Sequence, residues 1–342
     1  MRNITVELGD FTILVGPNDS GKSSFLEALK IPSALAKQGC ADFFTSERSL
    51  ENLVWQKDTK RNITLEIIGK TADLRFTYRL EMSNKQLPCE SLHWKDSKLS
   101  WTDIEIEQRK NIMGALPSVL EYRFDPRELA QPSVPQADRT LETAGANLAA
   151  VLAVLQNSDP PAFAAIQEHW QALLTLPGFT LTPAEPPGAK ALEFILSEQP
   201  FVTIPASLAS TGILLFTAFL TLAYMPTPEV LLLEGPEKGL HPSSWHWILS
   251  ILRKMSRGEI GNRKRQIILV TYSPLVLNCR IQPEEVRIFI RHPEKGTEVM
   301  PLSRVPNIDR LAKEFGLGEL WYLLGEEKLF EGKSLVGHRR NV

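Results

Sequence analysis

The sequence predicts an α/β fold with a mostly parallel core sheet, an antiparallel β subdomain and an inserted helical part. Three observations predict it. A short apolar run at 11–15 ends on a glycine-rich turn and leads into a helical pattern. A stretch of period-two alternation between 63 and 80 then changes the texture of the chain. From 213 to 270, helix-like and strand-like runs alternate once more.

Phe11 to Val15 is apolar and partly β-branched, the composition of a strand buried on both faces. After the turn, Phe25, Leu26 and Leu29 share one helical face, and this helix is expected to stop before Pro32. Ile63, Leu65 and Ile67 alternate with polar residues, as do Leu74, Phe76, Tyr78 and Leu80, on either side of Gly-Lys-Thr-Ala. That pattern predicts an antiparallel hairpin, which Leu92-His-Trp and Lys98-Leu-Ser-Trp extend into a meander. Ala146 to Leu155 reads as a helix, and Pro160-Pro161 opens a second one carrying Phe163, Ile166 and Trp170. Strand-like runs follow at Ala191–Leu196 and Phe201–Ile204, with Pro183 to Gly188 expected as a flexible loop.

The last third predicts a helix over Ile213–Tyr224, a strand over Val230–Leu233, a helix over Trp245–Met255 and a strand over Ile267–Val270. The core sheet is therefore expected in two halves. We divide the chain into 1–125 (first half with the antiparallel subdomain), 126–198 (helical and β insertion), 199–300 (second half) and 301–342 (a helical tail). In that tail Leu317, Leu320, Trp321 and Leu324 predict short amphipathic helices.

With 342 residues, 43% of them hydrophobic and 23% charged, the chain has the make-up of an ordinary globular protein with a sizeable core. The net charge of −2 means that any nucleic-acid contact must come from a local patch. Asn262-Arg-Lys-Arg265 is the candidate patch, read first as a solvated loop. Cys40, Cys89 and Cys279 are too scattered for a zinc site or a disulfide framework, which fits a reducing cytoplasm. No signal peptide is expected. The apolar run Ile213–Met225 is shorter than the roughly 20 residues that span a bilayer, so a buried helix is expected and no membrane partner.

Gly16-Pro17-Asn18-Asp19-Ser20-Gly21-Lys22-Ser23-Ser24 contains G-x-x-x-x-G-K-[ST] between a predicted strand and a predicted helix. The glycines let the backbone wrap closely enough for its N–H groups to face phosphate oxygens. The helix that follows adds its positive N-terminal end. Lys22 is placed to reach the β- and γ-phosphates, and Ser23 to ligate Mg²⁺. The residues thus point to a P-loop nucleotide site for ATP with Mg²⁺.

The loop with Asn18, followed by Phe-Leu-Glu-Ala-Leu, resembles that of the ABC-type ATPases of the SMC, RecF and OLD group. The resemblance extends to Val230-Leu-Leu-Leu-Glu234-Gly235-Pro236-Glu237-Lys-Gly-Leu240-His241-Pro242 and to Gln266-Ile-Ile-Leu-Val-Thr271-Tyr272-Ser273-Pro274. Relatives there read Asp/Glu-Glu-Pro-Glu-x-x-Leu-His-Pro and Thr-His-Ser-Pro. A carboxylate at the end of an apolar strand can hold Mg²⁺ or its waters, the role the resemblance gives Glu234. Ser210-Thr-Gly212 resembles the signature segment, which in the family touches the γ-phosphate held by a second subunit. The resemblance implies a homodimer with ATP sandwiched between subunits. It puts His241 near that interface and Tyr272 by the γ-phosphate. Gln56 falls where a metal-contacting glutamine would come, and a solvated loop residue is the simpler reading.

Two departures fall on the hydrolytic machinery. Gly235 stands where relatives carry the catalytic Glu, and Tyr272 where they carry the switch His. Either Glu237 substitutes as the catalytic carboxylate, beside Lys22 and Glu234, or ATP is bound firmly and hydrolysed slowly. Relatives also have a strand and an adenine contact upstream, where only Met1 to Leu8 stand here. No Asp-x-Asp cluster follows Pro301, so the nuclease domain fused to OLD-type ATPases is not expected. The favoured function is an ATP-dependent dimerising switch in DNA-related or defence-related processes. The alternative is a hydrolysis-deficient scaffold that holds a nuclease or toxin partner.

Overall fold

The computed structural model describes residues 3–43, 54, 57–58, 60–70, 75–83, 86–94, 97–100, 117–136, 140–174, 176–198, 201–225, 228–237, 239–261 and 263–330. Gln56 and Asn262, and the side chains of Cys40 and Cys89, lie outside the described residues. The chain forms two compact units. One comprises Met1–Ile4, Gly21–Val119 and His292–Thr297; the other comprises Thr5–Ser20, Leu120–Arg291 and Glu298–Val342.

The first unit holds helix α1 (Lys22–Phe43) and the strands β2 (Ile63–Lys70), β3 (Arg75–Ser83), β4 (Gln86–Trp94) and β5 (Ser97–Ser100). These four strands form one antiparallel sheet in the order β2-β3-β4-β5, the expected hairpin and meander. Alternation decides its faces: Phe76, Tyr78, Leu80 and Met82 of β3 are buried, while Arg75, Arg79 and Glu81 face solvent. Helix α1 does not stop before Pro32 but runs through it. Pro32 is itself buried, as are Leu26 and Leu35 on either side. Packing on both flanks carries the helix past the one hydrogen bond that proline removes.

The core sheet has six strands in the order β13-β12-β1-β11-β10-β6. They are β1 (Phe11–Val15), β6 (Val119–Tyr122), β10 (Val230–Glu234), β11 (Gln266–Val270), β12 (Val286–His292) and β13 (Gly296–Pro301). The central four, β12, β1, β11 and β10, are parallel. The three core strands expected from the sequence, β1, β10 and β11, are all present. β6, β12 and β13 escaped the sequence reading, because short runs such as Val119–Tyr122 carry little periodicity.

The rest of the second unit packs around helix α5 (Thr211–Tyr224), whose residues 214–223 are all buried. Helices α2 (Pro126–Leu129), α3 (Leu148–Ser158) and α4 (Pro160–Leu173) precede it, the last capped by Asp159 accepting from the Ala162 amide. A three-stranded antiparallel sheet, β7 (Gly178–Ala184), β8 (Ala189–Glu198) and β9 (Phe201–Pro205), completes this part. The loop expected at Pro183–Gly188 is instead the tight connection of the β7–β8 hairpin, with Pro183 paired to Lys190. Trp170 knits these elements together. It stacks on Phe194 with ring centroids 5.8 Å apart, meets Phe179 edge-on, and donates through Nε1 to the Thr217 hydroxyl at 3.0 Å. Helix α6 (Trp245–Arg257) buries Trp245 and leaves Trp247 exposed, as their helical spacing requires. Short α7 (Pro274–Leu277), α8 (Ile308–Phe315) and α9 (Leu317–Phe330) follow, and Leu317, Leu320, Trp321 and Leu329 close onto the core. Among the described residues no helix is long and apolar enough to cross a membrane.

The basic run before β11 is not a uniformly solvated loop. Arg265 is buried, and its guanidinium donates to the carbonyls of Ala223 and Met225, which end α5. Burial pushes its pKa below the ordinary arginine value. Lys264 pairs with Asp10 at 2.7 Å. Arg265 at least is thus committed to the fold.

Candidate functional site

Register puts the site at the carboxyl end of the core sheet. Leu14 and Glu234 both pair with Val270 across parallel ladders. The phosphate loop from Gly16, the carboxylate of Glu234 and the Thr271-Tyr272 segment therefore all emerge at the carboxyl ends of three adjacent strands. Crevices outside the carboxyl ends of parallel strands are where α/β sheets bind ligands.

The start of the loop is set by close packing. Gly16 has φ +147°, and a Cβ there would lie 2.1 Å from the Phe289 carbonyl oxygen of β12. Only glycine fits so close to that backbone. Asp19 takes a left-handed φ of 62°, Ser20 is buried, and the Ser20 amide closes the turn on the Pro17 carbonyl at 3.3 Å. Arg291 of β12 reaches the Asp19 carbonyl at 3.5 Å, a cation beside the loop that sequence reading missed. In the other unit, Gly21 has φ +100° and its carbonyl accepts from the Phe25 amide, starting α1. Lys22 is buried at the head of that helix, and Ser23 and Ser24 are exposed.

Glu234 is not an isolated strand-end carboxylate. Its Oε2 lies 2.5 Å from Arg123 Nη2, and Arg123 also pairs with Glu121 at 2.7 Å. The Tyr272 hydroxyl stands 3.5 Å from Glu234 Oε1. Arg123 follows β6, the strand beside β10, and no sequence signal marks it, since long-range strand order decides which residue faces Glu234.

Gly235 continues the ladder by donating to the Val270 carbonyl at 2.9 Å, with a left-handed φ of 58°. Glu237 then folds back. Its Oε1 accepts from the Thr271 hydroxyl at 3.0 Å and from the Tyr272 amide at 2.7 Å. Its Oε2 is buried with no hydrogen-bond partner among the described residues. Glu237 thus ties the loop after β10 to the segment after β11.

The Ser210 hydroxyl accepts from the Ile213 amide at 3.4 Å, the expected N-cap of α5. Gly239, φ +81°, packs so tightly on Thr211 that a Cβ would sit 2.7 Å from its methyl, and Gly212 lies next to Leu240. The Ser210–Gly212 segment and the Leu240-His241 segment are neighbours, and both Ser210 and His241 are exposed.

The donor set suits magnesium by its chemistry. Within the second unit the Glu234 carboxylate is a hard oxygen donor, and Oε2 of Glu237 is a buried acceptor without a partner among the described residues. When bound, the metal would neutralise phosphate charge. No group of three or more His, Cys, Asp or Glu residues suggests another metal site among the described residues.

A mostly parallel sheet whose first strand turns into a glycine-rich loop, with a carboxylate ending the strand two places away, is the arrangement of a P-loop nucleotide-binding α/β fold. The chain belongs to the family described as AAA domain, putative AbiEii toxin, Type IV TA system, whose model matches residues 11–146 and 183–278. In fold it is similar to the SMC head domain from Thermotoga maritima, at 12% identity and a TM-score of 0.51, over 86% of this chain and 92% of that one. It is also similar to an SMC head bound to the C-winged helix domain of ScpA, at 14% identity and a TM-score of 0.54, over 86% and 91% of the two chains. No curated protein sequence matches it.

Proposed function

We propose that the chain is an ATP-loaded switch. It binds Mg·ATP on Gly16–Ser24, with Lys22 on the β- and γ-phosphates and Ser23 and Glu234 on the metal. A second copy then closes over the nucleotide through Ser210, Gly212 and His241, and the paired state controls a nuclease, effector or DNA partner. The observation that carries this reading is the emergence of the loop, Glu234 and Tyr272 at the carboxyl ends of adjacent parallel strands. The kinship to OLD-type ATPases rests on the Pro236-Glu237…Leu240-His241-Pro242 motif. The defence setting rests on the family description alone.

Hydrolysis is slow in this reading. Gly235 offers no side chain to polarise water, and Tyr272 binds Glu234 instead of supplying an imidazole. Glu237 spends one oxygen on Thr271 and Tyr272, which suits it to couple the two segments more than to act as a free base. These features favour the scaffold form of the switch, in which bound ATP, not turnover, holds the partner. The test measures ATP binding by equilibrium dialysis beside phosphate release. Saturable Mg²⁺-dependent binding with a turnover well below the typical enzyme value of about 10 s⁻¹ is expected. Lys22→Ala abolishes the binding. A wild type that takes up no ATP, or that turns over at ordinary rates, refutes the reading.

A further inference from the structure

The pairing of Arg123 with Glu234 gives the carboxylate assigned to magnesium an occupant of its own. Side chains of Glu234 and Glu121 are only 11% and 8% exposed, and the Arg123 guanidinium touches both, at 2.5 and 2.7 Å. Two carboxylates removed from water this far need a cation between them. Tyr272 stands by the other oxygen of Glu234, at 3.5 Å. A divalent metal and a guanidinium compete for the same oxygen.

We propose that Arg123 is a resident counter-ion that keeps divalent metal off Glu234 until nucleotide arrives, a positioning residue for metal loading. The inference rests on the assignment of Glu234 to the metal. Arg123 is half exposed, so its outer side already faces solvent and its long side chain swings away without backbone movement. Phosphate oxygens are strong bidentate partners for a guanidinium, so a triphosphate offers Arg123 another seat as it brings its own metal. The charge exchange is favourable: one guanidinium leaves a pair of carboxylates and a divalent ion takes its place. The protein would then accept metal as Mg·ATP and resist free metal, which keeps nucleotide-free protein from locking into a loaded state.

The test is Mn²⁺ binding to the full chain without nucleotide, followed by electron paramagnetic resonance. Arg123→Ala and the shape-keeping Arg123→Gln are expected to tighten Mn²⁺ binding at one site by about tenfold or more. Adding Glu234→Gln to either variant removes the gain. Arg123→Lys, which keeps the charge, binds Mn²⁺ as weakly as wild type. If neither Arg123 variant binds Mn²⁺ more tightly, or if the gain survives Glu234→Gln, the inference fails. A separate measurement distinguishes the underlying assignment. Should Glu234→Gln alone leave the Mg²⁺ dependence of ATP binding untouched, Glu234 is not the metal carboxylate. Should it remove that dependence while the Arg123 variants gain nothing, only the role of Arg123 is lost.

Discussion

In the proposed switch, Gly235 is the position at which nucleotide binding parts from hydrolysis. With φ +58°, it sits where residues with a Cβ pay about 1–2 kcal/mol. Its amide still donates to the Val270 carbonyl, so the turn is fixed at both ends of the residue. Writing the missing carboxylate back is therefore not a local repair. Gly235→Glu and Gly235→Ala are expected to lose about 1 kcal/mol in urea unfolding. Neither is expected to raise phosphate release above wild type, because the strain falls on the turn that would have to carry the new carboxylate. A fully stable Gly235→Glu protein with many turnovers per site would show that this turn is not committed to glycine. Arg123 makes the same point from the other side: the residue paired with Glu234, the carboxylate proposed for the metal, follows a strand that motif reading does not see.

The elements differ in how far their sequence reveals them, and the reasons are physical. β3 was legible because one face is buried and the other solvated, which writes the alternation of Phe76, Tyr78 and Leu80 into the chain. α5 was legible because a continuous apolar run bounded by Ser210 and a cap of its own has few other folds open to it. β6 was not, since its four residues acquire their place only by pairing beside β10. Arg265 was misread as part of a solvated run because its partners, the terminal carbonyls of α5, are some forty residues away in sequence. Pro32 marks the opposite failure, where a strong local rule yields to packing. Within the second unit, the joint between α4 and α5 is the sharpest element-scale test. Trp170 and Thr217 are both fully buried, and the indole N–H has the Thr217 hydroxyl as its acceptor. Thr217→Val keeps the volume and orphans that N–H, so a loss of about 1–3 kcal/mol is expected in chemical unfolding, whereas Thr217→Ser stays near wild type. Equal losses in the two variants would mean that the methyl, not the hydrogen bond, secures the joint.

At the scale of the whole molecule, the question is whether ATP joins two copies. Ser210 is exposed at the head of α5, and beside it in sequence Leu208 is 74% exposed and Phe201 65%, large apolar surfaces for a chain with an ample core. The adjoining Leu240-His241 segment is held against Thr211 and Gly212 by the close approach of Gly239, so the surface is built as one piece. An arginine at 210 would thrust bulk and charge into a partner's triphosphate seat while leaving the phosphate loop of its own chain intact. Ser210→Arg is therefore expected to bind Mg·ATP within about twofold of wild type, well inside the 1.4 kcal/mol that separates tenfold affinities. It should remain monomeric in sedimentation velocity at concentrations where wild type with ATP is dimeric. The lost helix cap costs the fold about 1 kcal/mol in its own right. Ser210→Asn, which still caps, isolates that contribution: it should keep both the stability and the ATP-dependent dimer. If Ser210→Arg dimerises with ATP as well as wild type does, the segment lies away from the interface and the switch must work through some other surface. If wild type itself stays monomeric with saturating Mg·ATP, the sandwich is wrong for this chain and the nucleotide acts within a single copy.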